Sequence, residues 1–158
     1  MRNCAALTVI LALCAASASP AEASTAHATP RTLKVHVKAV TTNFIDNAPT
    51  GSIGPGDELL LSEVATRAGV TVGHTVVVEI IVNDMGESEQ SFTLSLASGD
   101  ISYTGMGRVA GTEMSQQGTS GTFAIVGGTG RYSGARGFVV AKATDPAGLE
   151  HDLTFHLQ

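Results

Sequence analysis

Residues 123–141 read FAIVGGTGRYSGARGFVVA and carry the most specific structural signal in the sequence. An apolar run leads into a cluster of glycines, and a second apolar run comes after it. Glycine reaches positive φ without steric cost, so Gly127, Gly128 and Gly130 predict a reversal between two strands. Gly134 and Gly137 predict a bulge or a close backbone approach beside it. The stretch therefore indicates two consecutive antiparallel strands.

A glycine-rich loop after a strand is also typical of nucleotide sites. The residues on the C-terminal side of this loop argue against that interpretation, because a dinucleotide-binding loop opens a helix. Residues 132–144 instead alternate and are rich in β-branched side chains, and no Walker lysine comes after the glycines. The role of the motif is therefore predicted to be structural.

The chain on either side divides into further β-branched segments separated by Gly, Asp, Asn and Pro. The eight predicted strands are Leu33–Ile45, Asp57–Arg67, Val70–Asn83, Gln90–Ala97, Asp100–Ala110, Thr119–Val126, Tyr132–Thr144 and Glu150–Leu157. No amphipathic helix stands out. The sequence predicts an all-β fold, an eight-stranded antiparallel up-and-down β-barrel, with an open sandwich as the structural alternative. Residues 46–56 form a Gly- and Pro-rich loop placed to overhang a barrel mouth.

The third predicted strand is apolar on both faces. Val76, Val78 and Ile80 share one parity, whereas Val77 and Ile81 lie on the other. A strand buried on two sides suits a lumen on one side and another subunit on the other. We therefore expect a homo-oligomer, either a trimer or a dimer.

The first residues indicate export. Residues 1–23 have a positive start, an apolar run and small residues, with possible cleavage after Ala18 or Ala23. Cys14 leaves a lipoprotein signal as an alternative. Residues 24–32 are predicted to be flexible and residues 33–158 to form the domain, so we expect a secreted protein. Cys4 and Cys14 both lie in the signal, which leaves no cysteine for a disulfide.

Several function classes are not expected from composition. The formal net charge is −5, and no run of Lys or Arg predicts binding to nucleic acid or, after signal removal, to a membrane. No His or Cys spacing predicts a metal, and no motif predicts a cofactor. His151 and His156 are five positions apart on one strand and should face opposite sides. No Gly-x-Ser-x-Gly elbow predicts a hydrolase.

The glycine motif resembles the signature of dirigent proteins and bacterial allene oxide cyclase-like barrels. The shared features are the apolar strand, the Gly-Gly-Thr-Gly turn, the aromatic Tyr132 and the Ala-Arg-Gly at 135–137. The likeness extends with falling specificity over residues 33–158. It implies an eight-stranded barrel, often trimeric in plants, that binds apolar molecules. Known members isomerise an allene oxide, steer phenoxy radical coupling or fold polyketides into rings.

The resemblance and the predicted lumen together favour one function. We expect a secreted barrel of secondary metabolism that binds an apolar small molecule and directs its stereoselective cyclisation or isomerisation without a cofactor. Such a protein would be a cofactor-independent cyclase or isomerase. The alternative is a non-catalytic ligand-binding or dirigent auxiliary protein that acts with a separate oxidising enzyme.

Two residues are the candidate catalytic groups. Glu63 lies near the acidic residue of dirigent proteins, although Leu61 replaces their preceding aromatic residue, and it faces either the lumen, as an acid or base, or solvent. Arg136 matches the family's Ala-Arg-Gly and would either bind a carbonyl or anionic group, or support Glu63, or fix the hairpin through an ion pair.

Three residues are candidates for substrate binding. Glu79 interrupts an apolar strand and either enters the lumen or pairs with a cation across strands. Tyr103 either enters the lumen or packs with its hydroxyl at the rim. Phe138 shares the parity of Arg136 and would accompany it inward.

Overall fold

A computed structural model describes residues 31–47, 53–108 and 117–158 of the chain. The predicted signal, most of the flexible segment and residues 48–52 of the predicted mouth loop lie outside the described residues. The strands are β1 Arg31–Ile45, β2 Glu58–Arg67, β3 Val70–Ile81, β4 Glu87–Leu96, β5 Gly99–Arg108, β6 Ser120–Gly128, β7 Gly137–Ala143 and β8 Glu150–Leu157.

The eight strands form one closed barrel. Each strand pairs antiparallel with the next along the chain, and β8 pairs with β1 from Arg31↔Leu157 to Lys38↔Glu150. The β1–β8 pairing means that neither the first nor the last strand is left as a sheet edge. The predicted eight-stranded up-and-down barrel is confirmed, and the sandwich is excluded.

Two predicted strand limits were wrong in informative ways. β1 begins at Arg31, inside the segment predicted to be flexible, because pairing with β8 extends that far. β7 begins at Gly137 rather than Tyr132, because Gly130–Tyr132 form a turn of 3-10 helix. A Cβ at residue 137 would lie 1.9 Å from the carbonyl oxygen of His156, and the φ of +124° also favours glycine.

The two ends of the barrel differ. One end carries the β2–β3, β4–β5 and β6–β7 connections, including the predicted Ala68-Gly69 turn between β2 and β3, in which both residues have positive φ. The glycine turn after β6 lies at this end, and a packed apolar core fills the lumen beside it. That core includes Leu94, Ile101, Val139 and Phe155. We call it the closed end.

The opposite end carries the connections β1–β2, β3–β4, β5–β6 and β7–β8, and we call it the mouth. Asp57 stabilises the β1–β2 connection by accepting hydrogen bonds from the backbone amides of Asn47 (3.0 Å) and Gly54 (2.8 Å). Asp145 does the same in the β7–β8 connection, from Leu149 and Glu150. These carboxylates fix the ends of the connections that surround the entrance.

The outer face of β3 keeps the apolar character predicted from its sequence. Val76 and Ile80 point outward with 48% and 43% of their surface exposed, while Val77 and Ile81 are buried in the lumen. Across the strand pair, Val78 lies opposite Leu60, which extends the outer apolar surface to β2. The two-faced pattern is confirmed.

Candidate functional site

The mouth half of the barrel encloses a cavity of about 610 Å³. Ligand pockets for small molecules typically measure about 300–1,000 Å³, so this one has room for a small organic molecule. Small inward residues create the space, chiefly Gly121 and Ala141, which face each other across β6 and β7, and Ala143. The cavity is therefore built by the barrel wall, not by a separate domain.

Two carboxyl groups enter this cavity from neighbouring strands. Glu63 of β2 lies opposite Thr75 of β3, and Glu79 of β3 lies opposite Leu59 of β2. Directly paired residues point to the same side of a sheet, so both carboxyls face the lumen. Only 5% of Glu63 and 6% of Glu79 is exposed. The other cavity-lining residues of these two strands, Leu61 and Val77, are apolar.

Burial changes the acidity of both groups. Loss of water raises the pKa of Glu63 from 4.5 to about 7. Burial also raises the pKa of Glu79 to about 7; a hydrogen bond from the Gln90 side chain opposes this rise, and the charge of Glu63 adds to it. Near neutral pH each carboxyl is populated both with and without its proton. Such groups can donate or accept a proton during a reaction.

Several buried polar atoms beside the carboxyls lack a partner. Among the described residues, the side-chain atoms Glu79 Oε2, Tyr103 Oη and Thr75 Oγ1 are enclosed and make no hydrogen bond. Buried polar groups in proteins are nearly always paired, and each unpaired group needs a reason. Glu79 and Tyr103 line the cavity, so a bound ligand with polar atoms at this depth would satisfy those two groups.

Aromatic rings form the wall next to these atoms. The rings of Phe92 and Tyr103 stack with centroids 4.6 Å apart and planes within 4°. Phe123 meets Phe92 edge-on at 4.9 Å, and Phe155 meets Tyr103 edge-on at 5.3 Å. Burial and the nearby charge of Glu63 raise the pKa of Tyr103 well above 10, so its hydroxyl keeps its proton. The cluster offers flat apolar surface bordered by one hydroxyl.

Polar groups surround the entrance. Arg108 Nη1 donates to the carbonyl oxygen of Met85 at 3.0 Å, and its Nη2 lies 3.5 Å from Glu87 Oε1. Gln90 Nε2 donates to the carbonyl oxygen of Arg108 at 3.2 Å and to Ser88 Oγ at 3.0 Å. Gln90 thus connects the entrance to the buried Glu79.

The structure brings three of the five predicted site residues together. Glu63, Glu79 and Tyr103 all line the cavity. For Glu79 this excludes the alternative of a cross-strand cation, since it lies opposite Gln90. The alternative that the Tyr103 hydroxyl lies at the barrel rim is also excluded, because the residue is 1% exposed and its hydroxyl is enclosed. Their roles in binding or catalysis remain predictions.

Arg136 and Phe138 lie elsewhere, and their predicted inward position was wrong. Arg136 is exposed beside the closed end, where its Nη1 donates to the carbonyl oxygens of Val126 (3.2 Å) and Ala135 (2.8 Å). Phe138 is on the outer face and stacks on His156 at 4.4 Å. On β7 the inward residues have the opposite parity, as buried Val139 shows. Arg136 fixes the hairpin by hydrogen bonds to carbonyls instead of an ion pair.

Gln90 and His151 are among the cavity residues that the sequence did not single out as site candidates. Gln90 shares its parity with Phe92 and Leu94, a signal that was hidden because the rest of that strand is also polar. His151 shares its parity with Leu153 and faces the cavity. Burial lowers the pKa of His151, with Asp145 opposing and His36 adding to the effect. The expected opposite facing of His151 and His156 is confirmed.

Within the described ranges, no group of three or more His, Cys, Asp or Glu side chains is arranged to hold a metal ion. The same ranges contain no helix with the length and hydropathy needed to cross a bilayer. The functional groups in the cavity are carboxyl, amide, phenol, imidazole and guanidinium groups beside apolar side chains.

No model of a known protein family matches this chain, and no curated protein sequence matches it. Solved structures do match. A pyocyanin demethylase is 20% identical with a TM-score of 0.64, over 78% of this chain and 98% of its own. A pterocarpan synthase dirigent protein is 18% identical with a TM-score of 0.60, over 82% and 93%. An exo-specific intermolecular Diels-Alderase is 14% identical with a TM-score of 0.62, over 82% and 98%.

Proposed function

We propose that this barrel, which shares its fold with dirigent proteins and Diels-Alderases, binds a mainly apolar small molecule and directs its stereoselective cyclisation or isomerisation without a cofactor. One observation carries the proposal: a cavity of about 610 Å³ that holds two buried carboxyls, each with a pKa of about 7. Two structural neighbours are named for related chemistry, one as a Diels-Alderase and one as a pterocarpan synthase.

Confinement supplies most of the effect in this mechanism. A flexible substrate enters past Arg108 and lies against the rings of Phe92, Tyr103 and Phe123, which favour one folded conformer. Holding reacting atoms in a near-attack geometry lowers the barrier by removing the entropy of finding it. The surrounding wall also excludes water that would intercept a reactive intermediate.

The carboxyls add a directional electrostatic effect. Protonated Glu63 or Glu79 donates a hydrogen bond to an oxygen on which negative charge grows, while the ionised form accepts a proton from an acidic carbon or hydroxyl. Because both pKa values lie near 7, neither state is costly to reach at neutral pH. The low-polarity surroundings strengthen these interactions relative to water.

The test uses the pure protein with a panel of linear polyenes, epoxides and phenols, and the products are separated by chiral chromatography. Catalysis predicts multi-turnover conversion by the protein alone, reduced in Glu63→Gln and Glu79→Gln. The matched control is Glu89→Gln, since Glu89 is exposed on β4 and faces away from the lumen.

The same assay separates the auxiliary function. A protein that only orients its ligand leaves the panel unchanged by itself and shifts stereochemistry when a one-electron oxidant is added. Absence of conversion, of stereochemical change and of ligand binding across the panel would reject the whole proposal.

Export and assembly belong to the proposal as well. We propose that residues 1–23 direct secretion and that the outer apolar face around Val76, Val78 and Ile80 is covered by another copy of the chain in a trimer or dimer. Mass analysis of the exported protein gives the cleavage point, and light scattering gives the subunit number. A protein retained in the cell would contradict the first part, and a monomer at micromolar concentration the second.

A further inference from the structure

Acidic groups outnumber basic groups in the cavity. Its described lining holds three carboxyls, those of Glu63, Glu79 and Glu87, and one guanidinium, that of Arg108. Arg108 is at the mouth and already lies beside Glu87. His151, the remaining basic group of the described lining, has its pKa lowered by burial. The deep part of the cavity therefore holds two carboxyls and no cationic partner among the described side chains.

Carboxylates are seldom fully buried without a partner. Glu79 is 94% buried, yet its Oε2 is enclosed and accepts no hydrogen bond among the described residues. Gln90 supplies a single hydrogen bond to the same carboxyl. Glu63 lies close enough for its charge to act on both Glu79 and Tyr103. An ionised acceptor at this depth calls for a donor brought in from outside.

The aromatic wall favours the same kind of donor. The stacked rings of Phe92 and Tyr103 lie in the same cavity as the two carboxyls. The faces of aromatic rings attract cations, and the attraction is stronger where water is excluded. Rings and carboxylates together complement a positive charge attached to an apolar body.

We infer that the natural ligand carries a protonated amine, which binds between Glu63 and Glu79 while its apolar part lies against Phe92, Tyr103 and Phe123. This inference rests on the proposed function and names the substrate class for the same cavity. The N–H groups donate to Glu79 Oε2 and to the Glu63 carboxylate. The same carboxyls repel an anionic ligand, so a fatty-acid carboxylate is a poor occupant.

Amine binding must depend on pH. The amine requires ionised carboxyls, and these hold protons below pH 7, so binding releases protons and strengthens as pH rises. Other groups facing the carboxyls do not reverse this trend. Tyr103 stays protonated throughout, and Gln90 and Thr75 do not titrate. Ionisable Glu87, Arg108 and His151 lie toward the mouth, and a neutral His151 at high pH favours a cation further.

The experiment uses three ligands of equal chain length: octylamine, 1-octanol and octanoate. Each displaces Nile red, a neutral apolar dye, from the purified full-length protein. At about pH 8 octylamine should bind about tenfold more tightly than 1-octanol, as expected for a charge-assisted hydrogen bond, and octanoate should bind most weakly. Between about pH 8 and about pH 6 the affinity for octylamine should fall about tenfold, while that for 1-octanol stays constant.

Variants locate the effect. The double variant Glu63→Gln/Glu79→Gln should lose the advantage of octylamine over 1-octanol while still binding 1-octanol. The control Glu89→Gln should keep the advantage. Calorimetry of octylamine binding in two buffers of different ionisation enthalpy should show proton release in the wild type and none in the double variant.

Two results overturn the inference. Equal or tighter binding of 1-octanol at about pH 8, or an octylamine advantage that persists in the double variant, means that the carboxyls do not select a cation. In both cases the binding of Nile red and 1-octanol would still support the proposed function of the barrel. If neither Nile red nor 1-octanol binds, the proposed function fails together with the inference.

Discussion

Replacing Glu63 by Gln should stabilise the protein at alkaline pH. Gln has the shape of a protonated Glu but never ionises, and the wild-type carboxyl must ionise inside an apolar wall. The pKa of Glu63 rises from 4.5 to about 7 on folding. Each tenfold change in proton affinity is worth about 1.4 kcal/mol, so ionisation in the folded state costs about 3 kcal/mol.

The raised pKa sets the direction of the change with pH. The contribution of Glu63 to stability is fully present below the unfolded pKa of 4.5 and is lost as pH rises through about 7. Wild type should therefore lose about 3 kcal/mol from this group between about pH 4 and about pH 8.5, and Glu63→Gln should not. Removal of the Glu63 charge also lowers the pKa of Glu79, which adds to the gain.

Urea denaturation measures this difference. The chain has no tryptophan, so far-ultraviolet circular dichroism is the suitable signal. The free energies of unfolding of wild type and Glu63→Gln should nearly coincide at about pH 4 and separate by about 3 kcal/mol at about pH 8.5. Glu89→Gln, on the outer face of β4, should behave as wild type does. Parallel pH curves for wild type and Glu63→Gln would refute a buried, unpaired carboxyl.

Other changes test the barrel and its cavity. Gly137→Ala should unfold the protein or destabilise it by more than about 3 kcal/mol in thermal denaturation, because its Cβ would overlap the carbonyl oxygen of His156; wild-type stability would contradict the β7–β8 register. Ala141→Phe should fill the cavity and abolish Nile red binding with less than about 2 kcal/mol change in stability; undiminished binding would place the dye elsewhere. Arg136→Ala should leave ligand affinity unchanged in the same titration, and a clear loss of affinity would return Arg136 to the site.

The strands could be predicted because period-2 alternation was strong where one face meets the core. Leu59, Leu61 and Glu63 share a parity on β2, and all three are buried. Alternation shows which residues share a face but not which face is inside. On β7 both parities carry apolar residues, with Phe138 on one and Val139 on the other. The side that faces the lumen there depends on pairing with β6 and β8, which no local pattern encodes.

The cavity could be predicted only in outline. The cavity volume is the small difference between the space inside the eight strands and the volume of the side chains that point into it. The small size of Gly121 and Ala141 therefore affects the cavity volume as much as any catalytic candidate does. Gln90 illustrates the same limit for polar residues. Its neighbours Glu89 and Ser91 are polar as well, so only the register with Glu79 identifies it as a residue of the lumen.

The pairing of Arg31 with Leu157 determines how the barrel can be attached to anything else. Both ends of the described domain leave the molecule at the closed end, on the side opposite the entrance. A tag, a fused enzyme or a solid support joined directly before Arg31 or after Gln158 would be attached at the closed end and would leave the opening facing solution. Tethered display of the protein should therefore preserve access for ligands.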